Sequence, residues 1–275
     1  MYNKPIFYAV VGFTNPETWI YPIEMVDREL GGINVLYSYA HVRKWKEFPN
    51  THGLRMLDSG GFSLINKEGE YPYSFDEYIE FANKWKFDYV ATMDYPCDAR
   101  VHVSKIQLTH KERILRTVEN TAYLIDKIPN LLPVIQGYTI DEYAECIDLM
   151  RDAGVLKDYC AIGSLCLRRS VKDIVNTVNA IHRLIPNVKF HCFGLKLTSV
   201  FRMGTYLRSF DSAVWSLPWH KYGKLLKFEN GKLKYYKREE EHGQECCYIC
   251  LKAYIQYVNY RLQKWNGQGD DKDEI

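Results

Sequence analysis

The sequence has little to offer a membrane or a nucleotide cofactor. No apolar run is long enough to cross a bilayer, and no signal peptide opens the chain. There is no G-x-G-x-x-G and no G-x-x-x-x-G-K-[ST], which argues against dinucleotide-binding and P-loop folds and against an organic cofactor. Charge of one sign is also scarce. Lys and Arg number 36 against 34 Asp and Glu, a net charge of +2, so a nucleic acid would need a local basic patch. No internal repeat and no long linker divide the chain. What is present suits one large domain: 275 residues, 47% of them hydrophobic. Eight cysteines without a leader read as reduced, mostly buried thiols of a cytoplasmic protein. The 22 tyrosines suit stacking surfaces and half-buried positions alike.

Strand-like and helix-like stretches alternate. Apolar runs at 6–13, 33–39, 54–57, 89–93, 131–135, 160–165, 189–193 and 209–215 read as strands. Helical spacing covers 73–85 with Ser74 as cap, and 109–128 with Thr109 and Glu112 as a capping box. It also covers 140–153 before Gly154 and 170–185 before Pro186, with a short helix near 200–207. About eight strands with helical crossovers predict an α/β fold, a (β/α)8 TIM-type barrel. An open doubly wound sheet is the alternative. We expect the barrel to occupy residues 1–219. Residues 220–266 read as a basic β-hairpin around Asn230-Gly231 followed by a helix at 247–265, and 267–275 as a disordered tail.

The stretch 57–62 (LDSGGF) organises the rest. A carboxylate at a strand end, followed by glycines that let backbone approach a ligand, is one way an α/β enzyme builds a pocket. An Asp-Ser-Gly-Gly turn is the plainer reading. Asp94, Gln136, Ser164 and Asp211 also fall at or near strand C-termini, and in a barrel those ends converge on one mouth.

These residues carry a resemblance. The stretch 57–62 resembles the DSGGF motif of tRNA-guanine transglycosylases. Residues 109–121 resemble the helix after that family's guanine-reading Asp. Residues 134–137 are similar to its VQG segment, 161–165 (AIGSL) to AIGGL, and 210–213 (FDSA) to the segment with the nucleophilic Asp. The five lie in the family's order between about residues 54 and 215. The compact chain looks most like the DNA-modifying, DpdA-like branch, which inserts 7-deazaguanines into DNA.

The resemblance implies a base exchange that leaves the backbone uncut. Asp211 matches the nucleophile that forms a covalent glycosyl intermediate, and Asp58 the general acid and base. Asp94 matches the residue that accepts hydrogen bonds from the guanine edge, with Ser59, Gln136, Gly137, Gly163 and Ser164 around the base. Phe62 matches the stacking aromatic, and Phe193, before Gly194, stands where the family places a Met. Each residue also has a plainer reading: a cap or loop ion pair for the acids, a satisfied buried amide for Gln136, barrel core for the rings. Arg169 replaces a Glu that in bacterial relatives supports a cationic aminomethyl group. A neutral base, 7-cyano-7-deazaguanine (preQ0), fits better beside an Arg.

The family's zinc site is a C-x-C-x-x-C run with a later His. Here Cys246, Cys247 and Cys250 form the run and no His follows, so His242 is the candidate fourth ligand of a structural zinc. Helix-borne core cysteines are the alternative. Nucleic-acid contact is expected from Arg168, Arg169 and Lys172 at the mouth and from Lys224, Lys232 and Lys234 in the hairpin. Residues 220–238 hold seven Lys or Arg and one acid. The competing functions are a tRNA-guanine transglycosylase, a non-catalytic accessory subunit, and a barrel hydrolase that removes a base with water as acceptor. The protein would act as a homodimer or with accessory DNA-modification proteins.

Overall fold

The computed structural model describes residues 3–11, 19–98, 108–168, 170–237 and 245–267, apart from the side chains of residues 219, 220 and 245–247. Strands β1 (Ile6–Val11), β2 (Val35–Ser38), β3 (Arg55–Asp58), β4 (Tyr89–Ala91), β5 (Leu131–Leu132), β6 (Val134–Ile135), β7 (Tyr159–Ile162), β8 (Lys189–Cys192) and β9 (Leu207–Ser212) pair in parallel. Their order is β5-β4-β3-β2-β1-β9-β8-β7-β6. β5 and β6 are two halves of one stretch, split at Pro133, which has no N–H to give a ladder. The two ends of the order therefore meet, and the sheet rolls into an α/β TIM-like barrel.

Helices α1 (Ile20–Leu30), α4 (Phe75–Trp85), α5 (His110–Leu124), α6 (Ile140–Asp152) and α7 (Val171–Leu184) alternate with the strands. Ser74, Thr109 and Thr139 head three of them in capping boxes with Glu77, Glu112 and Glu142. Strands covered on both faces read as continuous apolar runs, and the side-chain alternation sorts them. Tyr8, Leu36, Met56, Ala91, Tyr159 and Ala161 pack inside the barrel. Phe7, Val35, Tyr37, Leu57 and Val90 face the helices.

Two local expectations change, and one helix is new. The Asp-Ser-Gly-Gly stretch is a strand-to-helix junction, because α3 (Gly61–Glu68) starts at once. The short helix expected near 200–207 is α8 (Leu197–Val200), with the chain turning tightly before Gly204. Helix α1 carries no strong cap, and its N-cap Trp19 makes no side-chain capping bond, so its start is not marked locally.

After β9 come a 3-10 turn (Val214–Ser216), α9 (Leu217–Tyr222), the antiparallel hairpin β10 (Lys224–Glu229) and β11 (Lys232–Lys237), and α10 (Glu245–Leu262). Asn230 and Gly231 both take positive φ, 52° and 77°, as a type I′ turn requires. Leu225, Leu226, Cys250, Leu251 and Tyr254 join the same apolar packing as the outer barrel face. Orientation follows from neighbours. Asn259 and Leu262, late in α10, line one hollow with Pro5, Ile6 and Gly32 at strand N-termini. Tyr260 lies against Gly231, at 2.9 Å from where a Cβ would stand. The hairpin turn thus lies near the closed end of the barrel.

Candidate active site

β3 delivers Asp58 to the end of the barrel, inward because Met56 two residues earlier is inward. The chain must then reverse at once. Gly60 takes φ 80°, and a Cβ there would stand 2.6 Å from Ala40 Cβ. At Gly61 a Cβ would stand 2.6 Å from the Asp94 carbonyl oxygen. Gly60 therefore lets the Asp58 loop lie against Ala40, and Gly61 lets it lie against Asp94. The Gly60 N–H donates to Asp58 Oδ2 at 2.9 Å.

Asp94, three residues past β4, is buried and held from several sides. The Ser59 hydroxyl donates to Oδ1 at 3.2 Å, and the Gln136 side-chain amide donates to Oδ2. Tyr71 donates to the Asp94 carbonyl at 2.6 Å. Gln136 follows β6. Its carbonyl accepts from the Ser164 hydroxyl at 2.7 Å, and Ser164 in turn accepts the Cys97 N–H at 2.9 Å. Ser164 has φ 56°, a left-handed conformation that costs a non-glycine residue about 1 kcal/mol. It stands at the second glycine of the AIGGL motif that this segment resembles, and its hydroxyl offsets the strain by fixing Gln136.

Asp211, near the end of β9, is buried. Its Oδ1 accepts the Gly194 N–H at 3.0 Å and lies 3.2 Å from His191 Nε2. Asp58 feels the other two carboxylates. Burial first and the charge of Asp94 next, with a smaller push from Asp211, raise the Asp58 pKa to about 7. Burial raises Asp94 to about 6, against the bonds from Gln136 and Ser59 that favour its charged form. A carboxyl group balanced near neutrality can give a proton and take one back.

Other predicted residues fall as follows. Phe62 is 40% exposed in the first turn of α3, free to cover a base. Phe193 is half-buried, edge-on to His191 with centroids 4.6 Å apart, and packs against the barrel interior. Gly137 lies against the start of α6, and Gly163 against the Gln136 amide. The Gly194 N–H donates to the nucleophile candidate, Asp211. Arg168 turns inward. It is 7% exposed, paired with Asp173 at 3.0 Å, bonded to the Tyr138 carbonyl and set over the Tyr138 ring, which leaves it little to offer a phosphate. Lys172, Lys224, Lys232 and Lys234 are exposed, Lys234 being paired with Glu229 at 3.0 Å. Arg169 and His242 lie outside the described residues, as do the side chains of Cys246 and Cys247.

Cys250 is fully buried, and its sulfur accepts the Leu226 N–H at 3.3 Å between α10 and the hairpin. Among the described residues no three His, Cys, Asp or Glu side chains gather as a metal site would. Nor, among them, is any helix long and apolar enough to cross a membrane.

Sequence reasoning missed Tyr71 and His191. Tyr71 lies in a loop with no periodic signal. His191 alternates with the apolar Phe190 and Cys192, which marks it as facing inward, but nothing local ties it to Asp211.

The family described as DpdA, DeoxyPurine in DNA protein A, matches the chain over residues 28–232. No curated protein matches it.

Proposed function

The chain belongs to the DpdA family, and from that premise we propose that it replaces guanine in DNA with a 7-deazaguanine by base exchange through a covalent Asp211 ester. The family points to DNA as the substrate and to a transglycosylase-type modification of it. The observation that carries the residue assignment is the set of three carboxylates at the strand C-termini, with Asp58 raised to about 7 by burial and by its two acidic neighbours.

In the proposed reaction, Asp211 attacks C1′ of the target nucleotide. The C1′–O bond forms as the C1′–N9 bond breaks, and the electron pair leaves on the base. Protonated Asp58 gives its proton to that base. The incoming 7-deazaguanine then loses its N9 proton to the Asp58 carboxylate. Its nitrogen attacks C1′, and the ester breaks to restore the Asp211 carboxylate. Asp94, steadied by Ser59 and Gln136, accepts from the N–H donors of the guanine edge, an arrangement that adenine does not present. Phe62 stacks on the base. The target must leave its helix to reach the mouth, so flipping or a single strand is required.

Two finer readings rest on sequence alone. Arg169 favours the neutral cyano base over an aminomethyl ammonium by like-charge repulsion. The Cys246, Cys247, Cys250 and His242 set would hold a structural zinc, which metal analysis of the purified protein tests.

The deciding experiment incubates the protein with labelled 7-cyano-7-deazaguanine and either DNA or tRNA, followed by nucleoside mass spectrometry. Label is expected in DNA. Label in tRNA alone, or base loss without exchange, would overturn the reading. Equal incorporation of the aminomethyl base in competition would remove the role given to Arg169.

A further inference from the structure

We propose that His191 is the positioning residue for the nucleophile. With the Gly194 N–H it holds Oδ1 of Asp211, so that Oδ2 is the oxygen that attacks C1′. The inference rests on the base-exchange reading above and deepens it.

Strand register makes the arrangement. His191 in β8 pairs with Ser209 in β9, and Ser209 lies two residues before Asp211, so all three face the barrel interior. Tyr159 of β7 reaches in from the next strand. The Tyr159 hydroxyl is 2.7 Å from Ser209 Oγ, Ser209 Oγ is 2.6 Å from His191 Nδ1, and His191 Nε2 is 3.2 Å from Asp211 Oδ1. The imidazole is fully buried, walled by the rings of Tyr8 and Phe193.

The direction of the chain is fixed by what each group can do. An ionised carboxylate only accepts, so His191 Nε2 carries the proton. In the neutral ring Nδ1 then accepts from the Ser209 hydroxyl, and Ser209 Oγ accepts from the Tyr159 hydroxyl. Each donor is used once, and the ring is neutral without an unsatisfied atom. A neutral imidazole orients the carboxylate without drawing off the charge that attack needs. Both bonds to Asp211 fall on Oδ1, which becomes the carbonyl oxygen of the ester and keeps both donors throughout. A misplacement of about 1 Å at a reacting atom can cost about a hundredfold in rate.

The test compares exchange of labelled 7-cyano-7-deazaguanine into DNA by the wild type and by His191→Phe, His191→Gln, Ser209→Ala and Asp211→Asn, with folding checked by circular dichroism. His191→Phe is expected to lower kcat about a hundredfold while KM for the base and DNA affinity stay within about threefold. His191→Gln, which retains an N–H near the Nε2 position, should recover at least tenfold of that loss, and Ser209→Ala should fall between. Wild-type kcat in folded His191→Phe, or a Gln variant no better than Phe, overturns the proposal. If His191→Phe does not fold, wild-type kcat in Ser209→Ala overturns it instead. Exchange by Asp211→Asn at the wild-type rate would instead overturn the base-exchange assignment itself.

Discussion

Gln136 and Asp94, 42 residues apart in sequence, close on each other at the barrel mouth: the Gln136 amide donates to Asp94 Oδ2 while its carbonyl accepts from Ser164. The bond presents Asp94 in a fixed orientation. Room for the amide comes from Gly163, where a Cβ would stand 2.2 Å from Gln136 Nε2. Gly163→Ala should therefore push Gln136 off Asp94. We expect KM for the incoming base to rise at least tenfold and stability to fall by about 1–3 kcal/mol, the usual cost of overpacking. Steady-state kinetics and urea unfolding would check both.

Asp211→Asn should abolish exchange and leave DNA binding within about twofold, because only the attacking oxygen is removed. Nucleoside mass spectrometry and a binding titration would read the two effects separately.

Asp58 ties both activity and stability to pH, and both fall as pH rises through its pKa. Its folded pKa of about 7 lies above the ordinary 3.8, so the folded protein holds that proton more tightly than the unfolded chain. Its contribution to stability is complete below about pH 4 and is lost as pH rises through 7. Asp58→Asn removes the titration. It should be more stable than the wild type at pH 8, by about 2–4 kcal/mol since one pKa unit is about 1.4 kcal/mol, and equal to it near pH 4. The same substitution should cost at least a hundredfold in exchange. Denaturant unfolding at the two pH values decides the first point. A wild-type rate that declines above pH 7 supports the role as acid.

The hairpin divides its lysines. Lys224 and Lys237 pair at the open end of the hairpin, and Lys232 lies beside its turn. Lys224→Glu with Lys237→Glu should weaken DNA binding and reduce the log–log salt slope by about one for every phosphate that is no longer neutralised. Lys232→Glu should change either little. An unchanged slope in the first pair would remove the hairpin from the binding face.

Much of this arrangement is local and could be read along the chain. The Ser74 and Thr109 caps sit within four residues of their partners. Asn230-Gly231 announces its own turn, and the apolar strand runs announce burial on both faces. Asp58, Asp94 and Asp211 could be picked out because each follows such a run. Other features depend on which strands become neighbours. The meeting of β5 and β6 across Pro133 closes the barrel, yet Pro133 by itself reads as a strand breaker. His191, Ser209 and Tyr159 are polar residues in apolar strands, and their linkage through register spans 50 residues. Arg168 looked like a surface cation until Asp173 and Tyr138 were folded around it. Short-range propensity and hydrophobic alternation act over a few residues, so the sequence carries them openly. Hydrogen bonds inside a barrel exist only after closure brings distant strands side by side, and only the tertiary structure decides where they fall.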